Sequence, residues 1–428
     1  MWWRSPDVTS GSLVVVVIVA FYIYHIYHIY HIYHMLIGID ASRAFFPYRT
    51  GTENYTWQLL LALAKLECKH TFRIYAKGNL KSQISNLKQI QNSNGRNSKQ
   101  FDFKIINWPY FWTQGGLALE TWRHPVGVLF IPAHVIPFLK NPKVPAVVAV
   151  HDLGFEFLPW HQNPIQRFYL SKIIEKLRSQ LATHIIAVSQ ATKKDLVGKL
   201  GVPEEKITVV YEGVDRGKFK VQSSKFKVEE IKKKYKIEGD YILFVGTVQP
   251  RKNLVRLIKA FSQIIRDNSR SNSYKFVNLQ LVIVGKRGWS ADEIYQTPGQ
   301  LGIADKVKFL DYVSDNDLPA LYAGAACFCL PSLKEGFGLP VLEAMACGTP
   351  VVISNTSSLP EVGGDAAIYV NPYDVDSIAD GLGQVLSIDK VGYKCLVEKG
   401  LKQAQKFSWE ECAKETVGVF EEVVNRNP

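Results

Sequence analysis

From Met35 to the C-terminus, short runs of consecutive apolar residues alternate with longer stretches whose apolar residues return every three or four positions. Strands buried on both faces and joined by amphipathic helices produce that pattern, because parallel neighbours need a crossover connection, usually helical. MLIGIDA, HTFRIYAK, VGVLFIPA, VPAVVAVHD, THIIAVS and ITVVYEG read as strands of a first series, with TENYTWQLLLALAKL and QATKKDLVGKL as helices. YILFVGT, LQLVIVG, KVKFLDYV, ACFCLPS and TPVVISN form a second series, with NLVRLIKAFSQIIRD, DLPALYAG and LPVLEAMAC as helices. The polar segments QIQNSNGRNSKQ and RDNSRSNSYK read as surface loops. The expectation is an α/β chain of two doubly wound halves with a boundary inside residues 213–240.

Composition agrees with this picture. A chain of 428 residues suits two domains of roughly 200 residues, and 47% hydrophobic with 21% charged residues is globular. The net charge of +12 admits a nucleic-acid binder, a membrane-surface binder or an enzyme for anionic substrates, and cannot choose among them. Its densest run, Lys218 to Lys236, is mixed with Glu229 and Glu230 and has no aromatic ladder, so it reads as a solvated linker and helix face. Six cysteines are scattered; Cys327 and Cys329 share one strand face with no second pair to hold a metal, which fits reduced thiols in a cytoplasmic protein.

In open parallel sheets ligands collect at the carboxyl ends of strands. After ACFCL comes PSLKEGFGLPVLEAMACGTPVV, where Glu335 opens a Gly-Phe-Gly loop, Pro340 stands at a helix start and Glu343 lies a turn inside. Gly336 and Gly338 allow close backbone approach, and a helix N-terminus welcomes phosphate. The two carboxylates suit hydroxyls on either side of a diphosphate, the pattern of a nucleotide sugar; alternatively they are a loop charge and an ordinary helix residue. Arg251 and Lys252, after YILFVGT, could neutralise a diphosphate leaving group or simply begin a helix in solvent. In the first half, RTGTENY offers Gly51 for a close turn, and His151 with Asp152 ends VPAVVAV, either as a structural pair or facing the same cleft.

RTGTENY, FWTQGGLALE, LFIPAH, VVAVHDLGFEFLP, IIAVSQATKKDL, FVGTVQPRKNL, FLDYVSDNDLPALYAGA, PSLKEGFGLPVLEAMACGTPVV and KFSWEECAKET together resemble the retaining, nucleotide-sugar-dependent glycosyltransferases of family 4, especially bacterial mannosyltransferase-like members. The resemblance runs from about Met35 to the end. It implies a GT-B fold, two Rossmann-like domains facing across a cleft: residues 35–215 for acceptor, a 216–240 linker, 241–410 for donor, and a 411–428 helix returning to the first domain. By motif, Glu335 would contact the transferred sugar, Gly336, Phe337, Gly338 and Leu339 would supply backbone contacts to sugar and phosphates, and Glu343 would hold the ribose. Arg251 and Lys252 would hold the diphosphate and carry most transition-state stabilisation. Tyr312 and Val313 would lie beside the base, Gly51 and Thr52 against the phosphate, and His151 near the transferred sugar and acceptor. No metal and no cofactor are implied. The diphosphate itself would take the acceptor proton in a front-face displacement, which suits a sequence without a hydrolase-type carboxylate pair.

The chain departs from the family at Thr247, where many relatives have arginine, and at Gly127, where many have aspartate. A hexosyltransferase is expected, moving mannose from GDP-mannose, with UDP-sugars as the alternative donors, to a glycan or lipid-linked oligosaccharide in cell-surface polysaccharide synthesis. Rival readings are another enzyme of the same architecture and a sugar-nucleotide-binding protein without transferase activity. Nucleic acid is not an expected partner; the location would be cytoplasmic, at the inner membrane surface. Upstream, Leu13–Tyr33 is apolar and long enough to span a bilayer, which would make a single-pass protein, but His25, His28, His31 and His34 would sit deep in lipid and have no metal-binding partners. Residues 1–34 therefore read as a low-complexity extension before a natural start at Met35.

Overall fold

The computed structural model describes residues 34–46, 49, 51–78, 100–133, 136–153, 179–219, 225–271 and 278–426. The readings made for residues 1–33, for most of QIQNSNGRNSKQ and for LGFEFLP beyond Leu153 lie outside them. Among the described residues no helix is long and apolar enough to cross a membrane.

Seven parallel strands form the first sheet: β1 (Leu36–Asp40), β2 (Thr71–Lys77), β3 (Phe101–Ile106), β4 (Val128–Ile131), β5 (Ala146–Val150), β6 (His184–Ala187) and β7 (Ile207–Val209), in the order β3-β2-β1-β4-β5-β6-β7. Helix α1 (Gly51–Lys65) follows β1, a π-turn Thr113–Leu117 runs into α2 (Ala118–Arg123), and α3 (Gln190–Leu200) follows β6. After α4 (Lys225–Lys234), six parallel strands form the second sheet: β8 (Tyr241–Val245), β9 (Gln280–Val284), β10 (Val307–Leu310), β11 (Cys327–Leu330), β12 (Val351–Ser354) and β13 (Ala367–Val370), in the order β10-β9-β8-β11-β12-β13. Its connections include α5 (Leu254–Ser271), α6 (Asp292–Gln300), α7 (Leu318–Gly324), α8 (Leu339–Ala346), α9 (Leu359–Gly363) and α10 (Val375–Ser387); α11 (Lys390–Ala404) and α12 (Trp409–Arg426) end the chain. The order of both sheets reverses beside their first strand, the arrangement that opens a crevice at the strand ends.

The central strands β4, β5, β11 and β12 are buried at every residue, which is why their sequences are unbroken apolar runs. Two edge strands were not anticipated: in β3 and β13 most residues keep partial exposure, so FDFKII and AIYV lack that run. Asn268–Ser271, read only as loop, continue α5. Packing separates the chain into two compact units, one of Met1–Val148, Leu181–His184 and Lys414–Pro428, the other of Ala149–Gln180 and Ile185–Ala413. In the first, Phe130 of β4 packs on Phe420 of α12 with ring centroids 5.1 Å apart.

Candidate active site

In the second unit, the turns after β8 and β9 are locked to one another. Gly246 and Gly285 have φ of 153° and 147°, and a Cβ at Gly285 would stand 2.0 Å from the Gly246 carbonyl oxygen, so only glycine fits. Val248 N–H donates to Lys286 O at 2.9 Å and Gly288 N–H to Val248 O at 2.8 Å. The chain then makes a tight turn, Pro250–Lys252, that ends at Asn253 in the left-handed region (φ 62°). The buried Asn253 amide spans two carbonyls, donating to Pro331 O at 2.9 Å and Pro372 O at 2.6 Å. This fixes where Arg251 and Lys252 emerge from the backbone.

Both cations converge on one carboxylate. Lys252 Nζ lies 2.6 Å from Glu335 Oε1, and Arg251 NH1 lies 3.4 Å from Oε2 and donates to Lys334 O at 3.0 Å. Arg251 NH2 also stands 3.8 Å from Asp152 Oδ2. Lys252 and Glu335 are both buried. Burial, the largest influence on Glu335, pushes its carboxyl up, but the charges of Lys252 and Arg251 outweigh it and hold the group below its ordinary value. Burial likewise draws Lys252 down, against the pull of Glu335. The outcome is an ionised carboxylate with its charge compensated, able to accept hydrogen bonds and poor as a nucleophile. Removing one partner from such a pair costs about 3–5 kcal/mol, because the other charge is left buried.

The loop that carries Glu335 is pinned at each residue. The Ser357 and Ser358 hydroxyls donate to Glu335 O, Ser358 also to Phe337 O at 2.7 Å, and Ser189 Oγ to Gly336 O at 2.7 Å. A Cβ at Gly336 would meet the His151 carbonyl oxygen at 1.9 Å, so glycine lets the loop lie against that backbone. Phe337 packs against Tyr211 and Phe407, centroids 6.0 and 5.7 Å away. The buried His151 places Nδ1 3.0 Å from Glu212 Oε1; a carboxylate can only accept, so Nδ1 carries the shared proton.

Gly338, with φ 116°, caps α8, Leu339 is its first residue and Pro340 is within its first turn. Glu343 follows one turn on, half-buried, and Tyr322 OH donates to its Oε2 at 2.8 Å. Burial raises the Glu343 carboxyl above its ordinary value, opposed by that hydroxyl and by Lys218.

The structure thus brings Arg251, Lys252 and Glu335 into direct contact and sets Gly336 on His151. Tyr312 and Val313 follow β10, Tyr312 exposed with Lys286 Nζ 5.6 Å from its ring centroid and Val313 buried. Gly51 and Thr52 open α1 in the first unit, where a Cβ at Gly51 would meet nothing within 4 Å. Sequence reasoning gave no role to Ser189, Glu212, Ser357 or Ser358. Only Ser189 left a local signal, a serine before a helix whose hydroxyl accepts the Thr192 N–H as an N-cap.

The family model described as Glycosyltransferase Family 4 matches residues 49–218, and that described as Glycosyl transferases group 1 matches residues 227–399. The O-antigen chain mannosyltransferase B of Escherichia coli is 34% identical over 277 residues, 64% of this chain and 70% of that protein. The O-antigen chain mannosyltransferase RfbU of Salmonella typhimurium is 34% identical over 244 residues, 57% of this chain and 60% of that one. Among solved structures, Anabaena Alr3699/HepE in complex with UDP and glucose superposes with a TM-score of 0.68 at 18% identity, covering 90% of this chain and 99% of that one.

Proposed function

Because the chain belongs to glycosyltransferase family 4, has the GT-B fold and is a glycosyltransferase, we propose that it transfers mannose with retention from GDP-mannose to a glycan or lipid-linked oligosaccharide during cell-surface polysaccharide synthesis. The observation that carries this reading is the buried Lys252–Glu335 pair with Arg251 beside it, at the carboxyl ends of β8 and β11. The two cations there, Lys252 buried and Arg251 half-buried, are placed to stabilise charge developing on a diphosphate leaving group, in a medium where each contact is stronger than in water. Glu335, ionised and compensated, is suited to accept hydroxyls of the transferred sugar, and Glu343 those of the ribose.

In this reading Tyr312 and Val313 flank the base, Gly336 to Leu339 approach sugar and phosphates, Gly51 and Thr52 reach the phosphate, and His151 stands by the sugar and acceptor. The choice of mannose is supported by the names of the two relatives of 34% identity. A lipid-linked acceptor would place the enzyme at the inner membrane surface, where the charge of +12 favours anionic lipid.

Slow hydrolysis of GDP-mannose, UDP-glucose and related donors by the purified protein tests the proposal. GDP-mannose is expected to be the preferred donor, and Lys252→Ala to lower turnover about a hundredfold while circular dichroism shows it folded. Absence of donor binding by folded protein would refute the transferase reading, preference for a UDP-sugar would replace the donor, and unchanged turnover in the variant would remove Lys252 from its role.

A further inference from the structure

A carboxylate is costly to bury unless it is paired, and Glu212 is buried. Among the described residues His151 is its one ion-pair partner, with Nδ1 3.0 Å from Oε1 and the two side chains 11% and 5% exposed for His151 and Glu212. The backbone around Glu212 is clamped on both sides. Val210 N–H donates to Ala187 O at 3.0 Å and Val214 N–H to Phe407 O at 3.3 Å. A Cβ at Gly213 would stand 2.1 Å from the Trp409 backbone nitrogen, so glycine is what lets the chain pass there. Tyr211, the residue before, packs its ring on Phe337 and Phe407 with centroids 6.0 and 5.7 Å away. Consecutive residues of one clamped segment thus hold the loop after Glu335 and the ring of His151. The His151 carbonyl is fixed separately: it accepts from Thr192 Oγ1 at 3.1 Å and lies against Gly336. All these residues belong to the second unit.

This fixing has a chemical sense as well as a geometric one. An ionised carboxylate has no proton to give, so Nδ1 of His151 is the donor in the pair, and in the neutral ring Nε2 then holds the lone pair. A nitrogen in that state can accept from a hydroxyl and cannot donate to a phosphate oxygen. An amide in place of the carboxylate could donate to Nδ1 and leave the ring proton on Nε2, which would reverse what the ring offers a substrate. The carboxylate forbids that reversal.

We propose that Glu212 is a positioning residue for sugar transfer: it locks the neutral His151 ring with its proton on Nδ1, so that Nε2 meets a hydroxyl of the transferred sugar as an acceptor and takes no part in holding the diphosphate. The proposal rests on the transferase reading and on the place given to His151 in it.

NMR of full-length protein carrying isotopically labelled histidine reads the tautomer at about pH 8, above the ordinary histidine range. The His151 resonances are those lost in His151→Gln. The parent is expected to show a protonated Nδ1 and a bare Nε2, and Glu212→Gln to populate the form protonated on Nε2. With GDP-mannose hydrolysis as the assay, kcat/KM in Glu212→Gln is expected to fall about tenfold, the worth of one hydrogen bond, while affinity for GDP, which lacks the sugar, stays at the parental value. Glu212→Asp keeps the charge but draws it back by one methylene, and the same kinetic loss is expected of it should the glutamine variant not fold. A protonated Nε2 in the parent, alone or together with Nδ1, would overturn the proposal, as would a fall in GDP affinity equal to the fall in kcat/KM. Parental kcat/KM in the folded variants sinks the proposal alone, whereas absence of donor hydrolysis by the folded parent sinks the transferase reading and takes the proposal with it.

Discussion

The hydrogen and carbon atoms that Gly336 lacks determine how the Glu335 loop is placed. With no side chain its backbone lies on the His151 carbonyl, and a methyl group would have to enter a space 1.9 Å from that oxygen. Neither neighbour is the free end of a flexible side chain, so the loop itself must move. Gly336→Ala is expected to lower stability in urea by about 1–3 kcal/mol and to weaken donor binding more than tenfold; parental donor affinity would show that the loop tolerates displacement. The glycine and the glutamate ahead of it were legible in the sequence because EGFG breaks an apolar pattern. The serines that pin the loop were not. Ser358 and Ser189 act on carbonyls 21 to 147 residues away, and a hydroxyl donating to a distant backbone leaves no periodicity.

At the scale of elements, α3 contributes mainly through its first turn. Ser189 accepts from Thr192 N–H at 3.0 Å while its own hydroxyl donates to Gly336 O, and the Glu361 carboxylate of α9 accepts from Gln190 and Ala191 N–H at 2.8 and 2.7 Å. The otherwise unsatisfied donors of the helix start are thus met by the segment that follows β12, and negative charge sits at the positive end of the helix. Ser189→Ala removes both a cap and a loop contact; a loss of about 1–3 kcal/mol in urea unfolding is expected, together with a higher KM for donor. Stability falling with KM unchanged would make Ser189 a cap alone. Elements buried on both sides, such as β4 and β11, could be read directly as apolar runs, and α3 was read with its observed bounds. The strands β3 and β13 could not, since an edge strand in partial contact with water need not be apolar.

At the scale of the molecule, residues near the two ends of the described chain meet within the first unit. His70, its side chain fully buried, accepts Met35 N–H on Nδ1 at 3.2 Å, so Nε2 carries the proton and stands 2.9 Å from Glu421 Oε1 of α12. Burial, opposed by Glu421, draws His70 below its ordinary value of 6.5. A second proton would have to displace the Met35 contact. The unfolded chain therefore takes up this proton first as pH falls from 6.5, and stability declines across that window until the folded state is protonated too. The urea midpoint is expected to drop between pH 7 and pH 5 by less in His70→Gln, which can keep both contacts uncharged, than in the parent; equal drops would exclude His70 as the source. The contact of His70 with Glu421 had no signature in the sequence, where His70 is an isolated histidine at a strand start.

The compensated carboxylate at Glu335 also has a consequence for proton counting. Its low pKa depends on Lys252 and Arg251, whose positive charge a bound diphosphate would take for itself, leaving the effect of burial to dominate. Donor association should then raise this pKa, leaving Glu335 ionised at neutral pH but drawing protons from the buffer, and tightening, in acid. Calorimetric titration in two buffers of different ionisation enthalpy would read the exchange as a difference in observed heat, and identical heats would show that Glu335 keeps its charge throughout. On this view the nucleotide sugar enters as a competitor for cations already engaged, and its affinity reports the difference between two anions.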